Sequence, residues 1–362
     1  MKTKPIHFVI LTVWVFALLI GCTNRQNKKQ SEGNLQAVKD MAGRDLTISN
    51  PVKSIISNNL PGTILLYSLA DSMLIARNNT PSYSEPNFCT KQYVDLPLIG
   101  SWFSTNGTRN TEEVIRLKPD LIVSAGNIGG KVVEITDRDQ EMLKIPMMLV
   151  STDLTLLDST YQLLGKLLNR EEKAAELIEF YQKYIPLIIS ETVKMDSANR
   201  KRIYIAMGQN GLLTPPASSL HSQVTKYAGA LNVAEIDLFN REVSGHATVS
   251  LEQVIKWAPD IILTCGIGNI SSVEVKNNLL NDRKWAGLTA IKKGQVFEVP
   301  ASPYLWLDRP PSINQIMGVI WLAKLLYPDH FSYDIKEVTR EFYTKFYHRE
   351  LAMTEINKIL NN

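Results

Sequence analysis

The chain has 362 residues, of which 44% are hydrophobic and 21% are charged, and its formal net charge is +3. This length and apolar content predict a sizeable core and about two domains. The charge is too mild to indicate nucleic-acid binding, and no basic stripe interleaved with aromatic residues appears, so nucleic acid is not an expected partner.

The N-terminus carries an export signal. Two lysines precede the apolar segment 8–20, and the sequence Leu-Ile-Gly-Cys follows and ends at Cys22. A short apolar segment of this kind is typical of a signal peptide, here residues 1–21, rather than of a spanning helix. The cysteine after Leu-Ile-Gly resembles a bacterial lipobox, which implies a lipid on Cys22; the alternative is a plain signal peptide with an incidental cysteine. The polar residues 22–37 predict a flexible tether.

Residues 38–154 predict a first α/β lobe. It opens with a hairpin whose turn is Asp40-Met-Ala-Gly-Arg. A core strand at 52–57 follows, and then a helix that Thr63 can cap. The remaining predicted elements of this lobe include a helix at 131–143 and a strand at 147–150.

A fifteen-residue stretch occurs twice, at residues 112–126 and 252–266, with seven identities and no gap. Each copy predicts the end of a short helix, a Pro-Asp turn, a buried strand and a Gly-led loop. Pro119 and Pro259 end the helices, and the apolar runs after them suit strands of a parallel sheet covered on both faces. The spacing is too long for a solenoid. It predicts two similar α/β lobes; the alternative is chance similarity between two ordinary helix-to-strand connections.

Residues 155–195 predict a long helical region between the two repeats, with a break at Asn169-Arg170 and a kink or end at Pro186. Its position favours a rigid helix that joins the lobes; the alternative is a helix packed inside one lobe. Residues 196–362 predict the second lobe. Its predicted elements include a strand at 203–207, a helix at 222–228 and a helix at 312–326 with Ser312 as its cap.

Catalytic motifs are missing from the sequence. No nucleophile elbow, zinc-protease motif, P-loop or dinucleotide-type glycine pattern occurs, so no enzymatic activity and no cofactor are predicted. The five histidines include no i, i+3 or i+4 pair, which argues against a preformed His-rich zinc site and against direct metal ligands. Cys89 and Cys265 fall in different lobes, and the sequence leaves open whether a disulfide joins them. Cys265 is predicted to pack as a small hydrophobic side chain.

Loops at the carboxyl ends of predicted strands form the expected ligand site, because ligands bind there in open α/β sheets. They carry Asn58, Asn59, Trp102, Asn127, Gln209, His246, Tyr304, Trp306 and Arg309. Arg309 is suited to an anion through its planar fork, and Trp306 to covering a ligand face. The alternatives are that Trp306 and Tyr304 pack in the core, that Arg309 pairs with Asp308 or another neighbour, and that His246 is solvated.

These features together resemble the periplasmic substrate-binding proteins of ABC importers for iron–siderophore complexes, haem and cobalamin. The motifs that carry the resemblance are the lipobox, the hairpin at Asp40, the two copies of the repeat and the long helix between them. The stretch Trp306-Leu-Asp-Arg-Pro-Pro-Ser312 is similar to a branch associated with iron, nickel chelates or molybdate and tungstate. Trp102 lies where cobalamin binders often place a cleft aromatic.

The resemblance implies two α/β lobes joined by a rigid helix, with a ligand cleft between them and no catalytic activity. It implies capture of a metal-containing ligand and delivery to a permease dimer with its ATPase subunits. In the family, one glutamate per lobe docks on the permease; here Glu112 and Glu252 match, although each also suits a helix N-terminus. The expected protein is a monomer, anchored by lipid on the periplasmic side of a membrane or at the cell surface. A lipid-anchored chelatase on the same scaffold is the less favoured alternative.

Overall fold

The computed structural model describes residues 34–79, 85–102, 108–236 and 245–360. The predicted signal peptide 1–21, the predicted lipidation site Cys22 and most of the predicted tether lie outside the described residues. The first strand begins at Asn34 rather than at residue 38, because this segment pairs with the strand that follows the Asp40 turn. Residues 34–37, which the sequence placed in the tether, therefore belong to a strand.

The described residues form eleven strands and fourteen α-helices. The strands are β1 Asn34–Lys39, β2 Asp45–Asn50, β3 Ile55–Ser57, β4 Leu121–Gly126, β5 Met147–Ser151, β6 Arg202–Met207, β7 Leu213–Thr214, β8 Leu231–Asn232, β9 Ala247–Thr248, β10 Ile261–Cys265 and β11 Val296–Glu298. The helices are α1 Leu60–Ala70, α2 Glu85–Phe88, α3 Lys91–Val94, α4 Thr111–Leu117, α5 Lys131–Leu143, α6 Leu157–Leu168, α7 Glu171–Lys194, α8 Gln223–Tyr227, α9 Leu251–Trp257, α10 Ser272–Asn281, α11 Thr289–Lys292, α12 Asn314–Leu326, α13 Ile335–Tyr347 and α14 Met353–Ile359.

Two separate sheets with parallel central strands form the centres of the two lobes. The first has the order β3-β4-β5, and the second contains β11-β10-β6, extended by the short strands β7, β8 and β9. The middle strands β4 and β10 are buried along almost their whole length. Continuous burial explains their unbroken apolar sequences, because helices cover both faces of a parallel sheet.

The two copies of the repeat have the same structure, which confirms two similar lobes. Residues 112–119 and 252–259 share one order of exposed and buried positions. Both helices end in a left-handed residue with φ 46°, Lys118 in the first copy and Ala258 in the second. The aspartate after each proline then accepts hydrogen bonds from the neighbouring strand's backbone: Ser54 N–H donates to Asp120 at 2.9 Å, and Arg202 N–H to Asp260 at 3.0 Å. The repeat thus encodes the same strand junction twice.

The helical region between the lobes consists of two helices, α6 and α7, which are separated at the predicted break. The break lies at Asn169, which adopts φ 53° and ends α6. The two helices then approach closely at Gly165, where an added Cβ would lie 2.5 Å from the Cβ of Ala174. The long helix is α7 alone, and it continues through Pro186.

We expect Gly165→Ala to lower the free energy of unfolding by about 1–2 kcal/mol. Overpacking a tight helix contact costs about 1–3 kcal/mol, and the better helix propensity of alanine offsets up to about 1 kcal/mol of that. Urea denaturation measures the difference. Gly287→Ala is the matched control, because an added Cβ there meets no atom within 4 Å; equal stability of the two variants would contradict a tight α6–α7 contact.

Helix α7 packs against the C-terminal helices through aromatic side chains. Phe180 contacts Phe342 and Phe346 at ring-centroid distances of 5.9 and 5.4 Å. From α13 the contacts continue into the first lobe, where the Tyr67 hydroxyl donates to the Tyr347 carbonyl at 3.0 Å. One buried apolar cluster therefore includes residues from both sheets and from the helices between them. This shared core favours a rigid connection of the lobes, as the sequence predicted.

Two predicted helix caps were wrong. Asn59, not Thr63, caps α1, because its side chain accepts from the Gly62 N–H at 2.9 Å while Thr63 is already inside the helix. Helix α12 begins at Asn314, so Ser312 precedes its cap position and instead accepts from the Asn314 side chain. Among the described helices, none is both long and apolar enough to cross a membrane.

Candidate functional site

A cleft of about 360 Å³ lies between loops of the two lobes. On the first lobe it is lined by residues that follow β4 and β5, and on the second by the segment before α12 and the turn that leads into α8. The lining residues include Gly126, Asn127, Ser151, Thr152 and Asp153 on one side and His221, Gln223 and Pro311 on the other. On the first lobe the cleft thus opens at the carboxyl ends of the strands, as predicted for an open α/β sheet.

Two histidines and an aspartate converge in the second lobe, and one of them, His221, lines this cleft. His221 lies just before α8, His246 just before β9, and Asp308 in the loop between β11 and α12. One potential ligand atom from each lies within 4.8 Å of the others, and the two imidazole rings are 5.0 Å apart. His221 Nδ1 is hydrogen-bonded to Asp308 Oδ1, and His246 Nε2 lies 3.3 Å from Asp308 Oδ2. This group is called the His-Asp cluster below.

Asp308 is a buried carboxylate that stays charged because of its neighbours. Its side chain is 4% exposed, compared with 27% for His221 and 0% for His246. Burial alone raises the pKa of Asp308, but the adjacent His221 and His246 imidazoles outweigh it and hold the pKa below its ordinary value. The cluster therefore keeps an anionic oxygen next to two ring nitrogens, with His221 reaching the cleft.

Arg309 lies beside the same cluster. One of its terminal nitrogens is 2.8 Å from His246 Nδ1 and 3.1 Å from His246 Nε2. Its Nε is buried and has no hydrogen-bond partner among the described residues. Gly245 makes room for the neighbouring His221 ring, because a Cβ added at this position would lie 2.6 Å from His221 Nε2. The backbone of Gly245 also has a positive φ of +78°. A glycine is therefore required where the backbone passes the His221 imidazole.

The structure distributes the predicted ligand residues differently from the sequence expectation. Asn127 lines the cleft. Tyr304 and Arg309 line a second cavity of about 420 Å³, and the Tyr304 hydroxyl lies 3.4 Å from that of Tyr93 in the first lobe. Trp306 is wrong as a ligand residue, because it is fully buried in the core. Its neighbourhood is tightly packed, since an added Cβ at Gly318 would lie 2.2 Å from the Trp306 carbonyl oxygen.

Trp102 lies in the first lobe and is not among the residues that line the cleft. Its ring stacks under the Arg109 guanidinium at 4.2 Å, and Arg109 pairs with Asp139 at 3.2 Å. Its backbone N–H donates to the Asn58 carbonyl. The buried Asn58 side chain has no hydrogen-bond partner among the described residues.

The histidines were predicted to form no preformed zinc site because they lack helical spacing, but this reasoning overlooked that His221 and His246 come together in the fold. His221 and His246 are brought together by chain segments that precede a helix and a strand, so their sequence spacing carries no helical signal. Asp308 is 87 residues from His221. The available signal was position alone: all three residues lie in loops next to predicted elements. His246 is also fully buried, not solvated.

The two cysteines of the described part form no bridge. Both Cys89 and Cys265 are buried. Cys265 lies in the core, as predicted for a small hydrophobic side chain, and burial raises the pKa of its thiol.

Comparison with known proteins identifies the fold. A family model described as periplasmic binding protein matches residues 87–303. This chain belongs to the periplasmic binding protein family. The predicted resemblance is therefore confirmed, and with it the assignment as a substrate-binding protein of an ABC transporter.

Three proteins similar to this periplasmic binding protein include one that is named for its ligand. The solved structure of an ABC transporter solute binding protein from Sulfurospirillum deleyianum has a TM-score of 0.81 at 26% identity, covering 90% of this chain and 99% of the other. The molybdate-binding protein MolA of Haemophilus influenzae is 26% identical over 66% of this chain and 70% of its own length. An uncharacterized ABC transporter substrate-binding lipoprotein, YvrC of Bacillus subtilis, is 21% identical over 87% of this chain and 94% of its own.

Proposed function

We propose that this protein captures a small metal-containing ligand in the cleft between its lobes and delivers it to an ABC importer permease. The observation that supports the proposal most is the His-Asp cluster at the wall of a cleft to which both lobes contribute polar residues. Catalytic activity is not part of the proposal, since the binding-protein scaffold and the absence of catalytic motifs both favour transport.

The size of the cleft narrows the range of ligands that fit it. A volume of about 360 Å³ lies near the lower end of the range of about 300–1,000 Å³ usual for small-molecule sites. It favours a compact metal chelate over haem or cobalamin, whose macrocycles are much larger. An iron–siderophore complex fits only if it is small.

An oxyanion is the second candidate. A relative named for molybdate binding supports it, as does the Arg309 guanidinium, which suits an anion. The buried Asp308 carboxylate opposes it, because a like charge so close to the ligand disfavours a dianion.

The proposal is tested by deleting the gene in the host and measuring the cellular content of iron, nickel, cobalt, molybdenum and tungsten by elemental mass spectrometry. We expect the content of one metal to fall under limiting supply and to recover when the wild-type gene is restored. Unchanged content of all five under limitation would contradict the proposal.

Two exposed surfaces suit docking on a permease built from two similar subunits. Glu112 and Glu252 are exposed at the same position of each repeat, and among the described residues neither forms an ion pair. Ile115 and Ile255, one turn further along each helix, are 50% and 48% exposed. A carboxylate and an apolar side chain at matched positions of both lobes favour a partner with two matching sites.

We further propose that the mature protein is held at the membrane by a lipid on Cys22. The lipobox-like sequence supports this, as does the relative named as a lipoprotein. Cys22→Ser is expected to release the protein from the membrane fraction or leave it unprocessed, whereas Ser31→Ala in the same polar segment should change nothing. Membrane fractionation with labelled fatty acid measures both; a Cys22→Ser protein that is still processed and labelled would contradict the lipid anchor.

A further inference from the structure

We propose that the first lobe lies directly on an anionic lipid bilayer, through a groove beside its first strand. The groove has a volume of about 400 Å³ and is lined by Leu35 of β1, by the end of α4 and by the end of α5. It also includes the residues just before β4 and β5, so it lies at the opposite end of the sheet from the cleft. The inference rests on the lipid anchor proposed above and goes beyond it, because here the folded lobe itself contacts the membrane. This site is called the hairpin groove below.

The hairpin groove has an apolar floor and exposed apolar side chains at its edge. Ile48 and Leu143 are buried in its wall, whereas Leu35 is 69% exposed and Ile115 is about half exposed. Large apolar side chains that remain exposed around a groove mark an interaction site. Ile115 also belongs to the proposed docking surface, so the two surfaces are continuous, but Glu112 is not among the residues that line the groove.

Two exposed lysines lie at the rim of this groove. Lys118 follows α4 and Lys144 follows α5, each as the residue that ends its helix. A lysine places its apolar stem along an apolar surface and its ammonium group in the polar layer. Lysines beside exposed leucine and isoleucine side chains therefore suit the boundary between acyl chains and anionic headgroups.

The acidic residues near the rim are already engaged. Asp120, which lines the groove, accepts hydrogen bonds from the backbone N–H groups of Lys53 and Ser54 at 2.8 and 2.9 Å. Glu141 pairs with Lys144, and Lys118 forms no ion pair with any described residue. The positive charge of Lys118 is therefore available to a partner, and it favours an anionic one.

The course of the chain selects a bilayer as that partner. Residues 23–33 connect Cys22 to the first strand and span at most about 40 Å even when fully extended. A lipid on Cys22 therefore keeps Leu35, and with it the hairpin groove, close to the membrane. The same residues contain three basic side chains and one acidic side chain, so the connecting segment and the groove prefer the same anionic surface.

A first lobe that rests on the bilayer would also assist delivery. The groove shares Ile115 with the docking surface, so contact with lipid holds α4 near the plane in which the permease is embedded. Attraction between lysines and anionic lipids falls off within a Debye length, about 8 Å at physiological ionic strength. The contact is therefore reversible, and the lobe can leave the lipid for the permease.

The test uses mature lipidated protein that carries Leu35→Cys, reconstituted in vesicles without permease. A fluorophore on this cysteine is quenched by nitroxide groups on the lipid acyl chains only where it reaches the bilayer. Cys89 and Cys265 are buried and do not take up the label. We expect quenching at residue 35 to be at least about threefold stronger with about 30% phosphatidylglycerol than with phosphatidylcholine alone. Lys118→Glu combined with Lys144→Glu should abolish this difference, and so should high salt.

Two controls match the probe and the charge change. A label at Leu280→Cys reports on an exposed apolar position of α10 in the second lobe and should not be quenched. Lys292→Glu combined with Lys293→Glu reverses two exposed lysines at the end of α11, outside the groove, and should leave quenching at residue 35 unchanged. Thermal melting shows whether each variant is folded; if the reversal at 118 and 144 unfolds the protein, glutamine replaces glutamate at both positions.

Quenching at residue 35 that is indifferent to lipid charge and to Lys118 and Lys144 would overturn the proposal, because the anchor alone would then explain it. A label signal that depends on protein density rather than on lipid charge would assign the groove to a second copy of the chain and would also overturn it. The mass of the purified protein separates the two proposals. Absence of a lipid on Cys22 would remove the anchor and this contact together, whereas lipidated protein without charge-dependent quenching would remove the contact alone.

Discussion

Replacing Glu112 and Glu252 together by alanine is expected to abolish uptake while ligand affinity stays unchanged. The two carboxylates are exposed, lie at equivalent positions of the two lobes and are not among the residues that line the cleft. Hydrogen bonds from its own backbone N–H and from Ser250 keep the pKa of Glu252 below its ordinary value, so it is charged at neutral pH. Charges at the rim of an interface act mainly through docking and its salt dependence, and each single variant should therefore be milder.

The measurement is metal uptake by cells together with stimulation of the importer ATPase by purified protein. A matched control is available on the same helices: Glu113→Ala with Gln253→Ala changes the next residue of each repeat. Glu113 is already paired with Arg116 at 2.5 Å, so this control should transport normally. Normal uptake by the Glu112–Glu252 double variant would refute docking and leave stabilisation of the helix N-termini as the role of both residues.

Truncation of Arg309 is expected to weaken binding of an anionic metal complex about 10- to 100-fold. This corresponds to about 1.5–3 kcal/mol for a charge-assisted hydrogen bond. The effect on a bare Ni²⁺ ion should have the opposite sign or vanish, because the variant removes a positive charge next to His246. Calorimetry of Arg309→Ala with Ni²⁺–citrate and with Ni²⁺ alone separates the two.

Arg283→Ala is the control for loss of one positive charge, since Arg283 is exposed and lies outside the cleft. It should leave both affinities unchanged. Equal affinity of wild type and Arg309→Ala for the complex would show that Arg309 does not bind the ligand.

The fold was predictable because it rests on local patterns. The repeat contains a helix end, a Pro-Asp turn and a buried strand in consecutive residues, and the structure forms the same junction in both copies. The break at Asn169 was also predicted, but the packing of the two helices that it separates was not. Such a close packing depends on Gly165 and Ala174 meeting in space, which periodicity alone does not reveal.

The site was predictable only in part, because tertiary structure brings together residues that are far apart in the sequence. In the structure Asn127 lines the cleft and Arg309 lies beside His246, while their roles in ligand binding stay predictions. His221 and Asp308 were missed, since neither shares a motif with the other or with His246. The prediction of Trp306 as a ligand residue was wrong because it relied on the loop's composition alone. An aromatic residue in a polar, proline-rich loop is typical of a ligand contact, but here the loop places the ring in the core.

The most direct test of the central claim is elemental analysis combined with native mass spectrometry of the protein purified from its own host. The account predicts up to one equivalent of a single transition metal, together with an added mass of a small organic chelator that is lost on denaturation. Protein from the host that carries a metal-free organic ligand would contradict it.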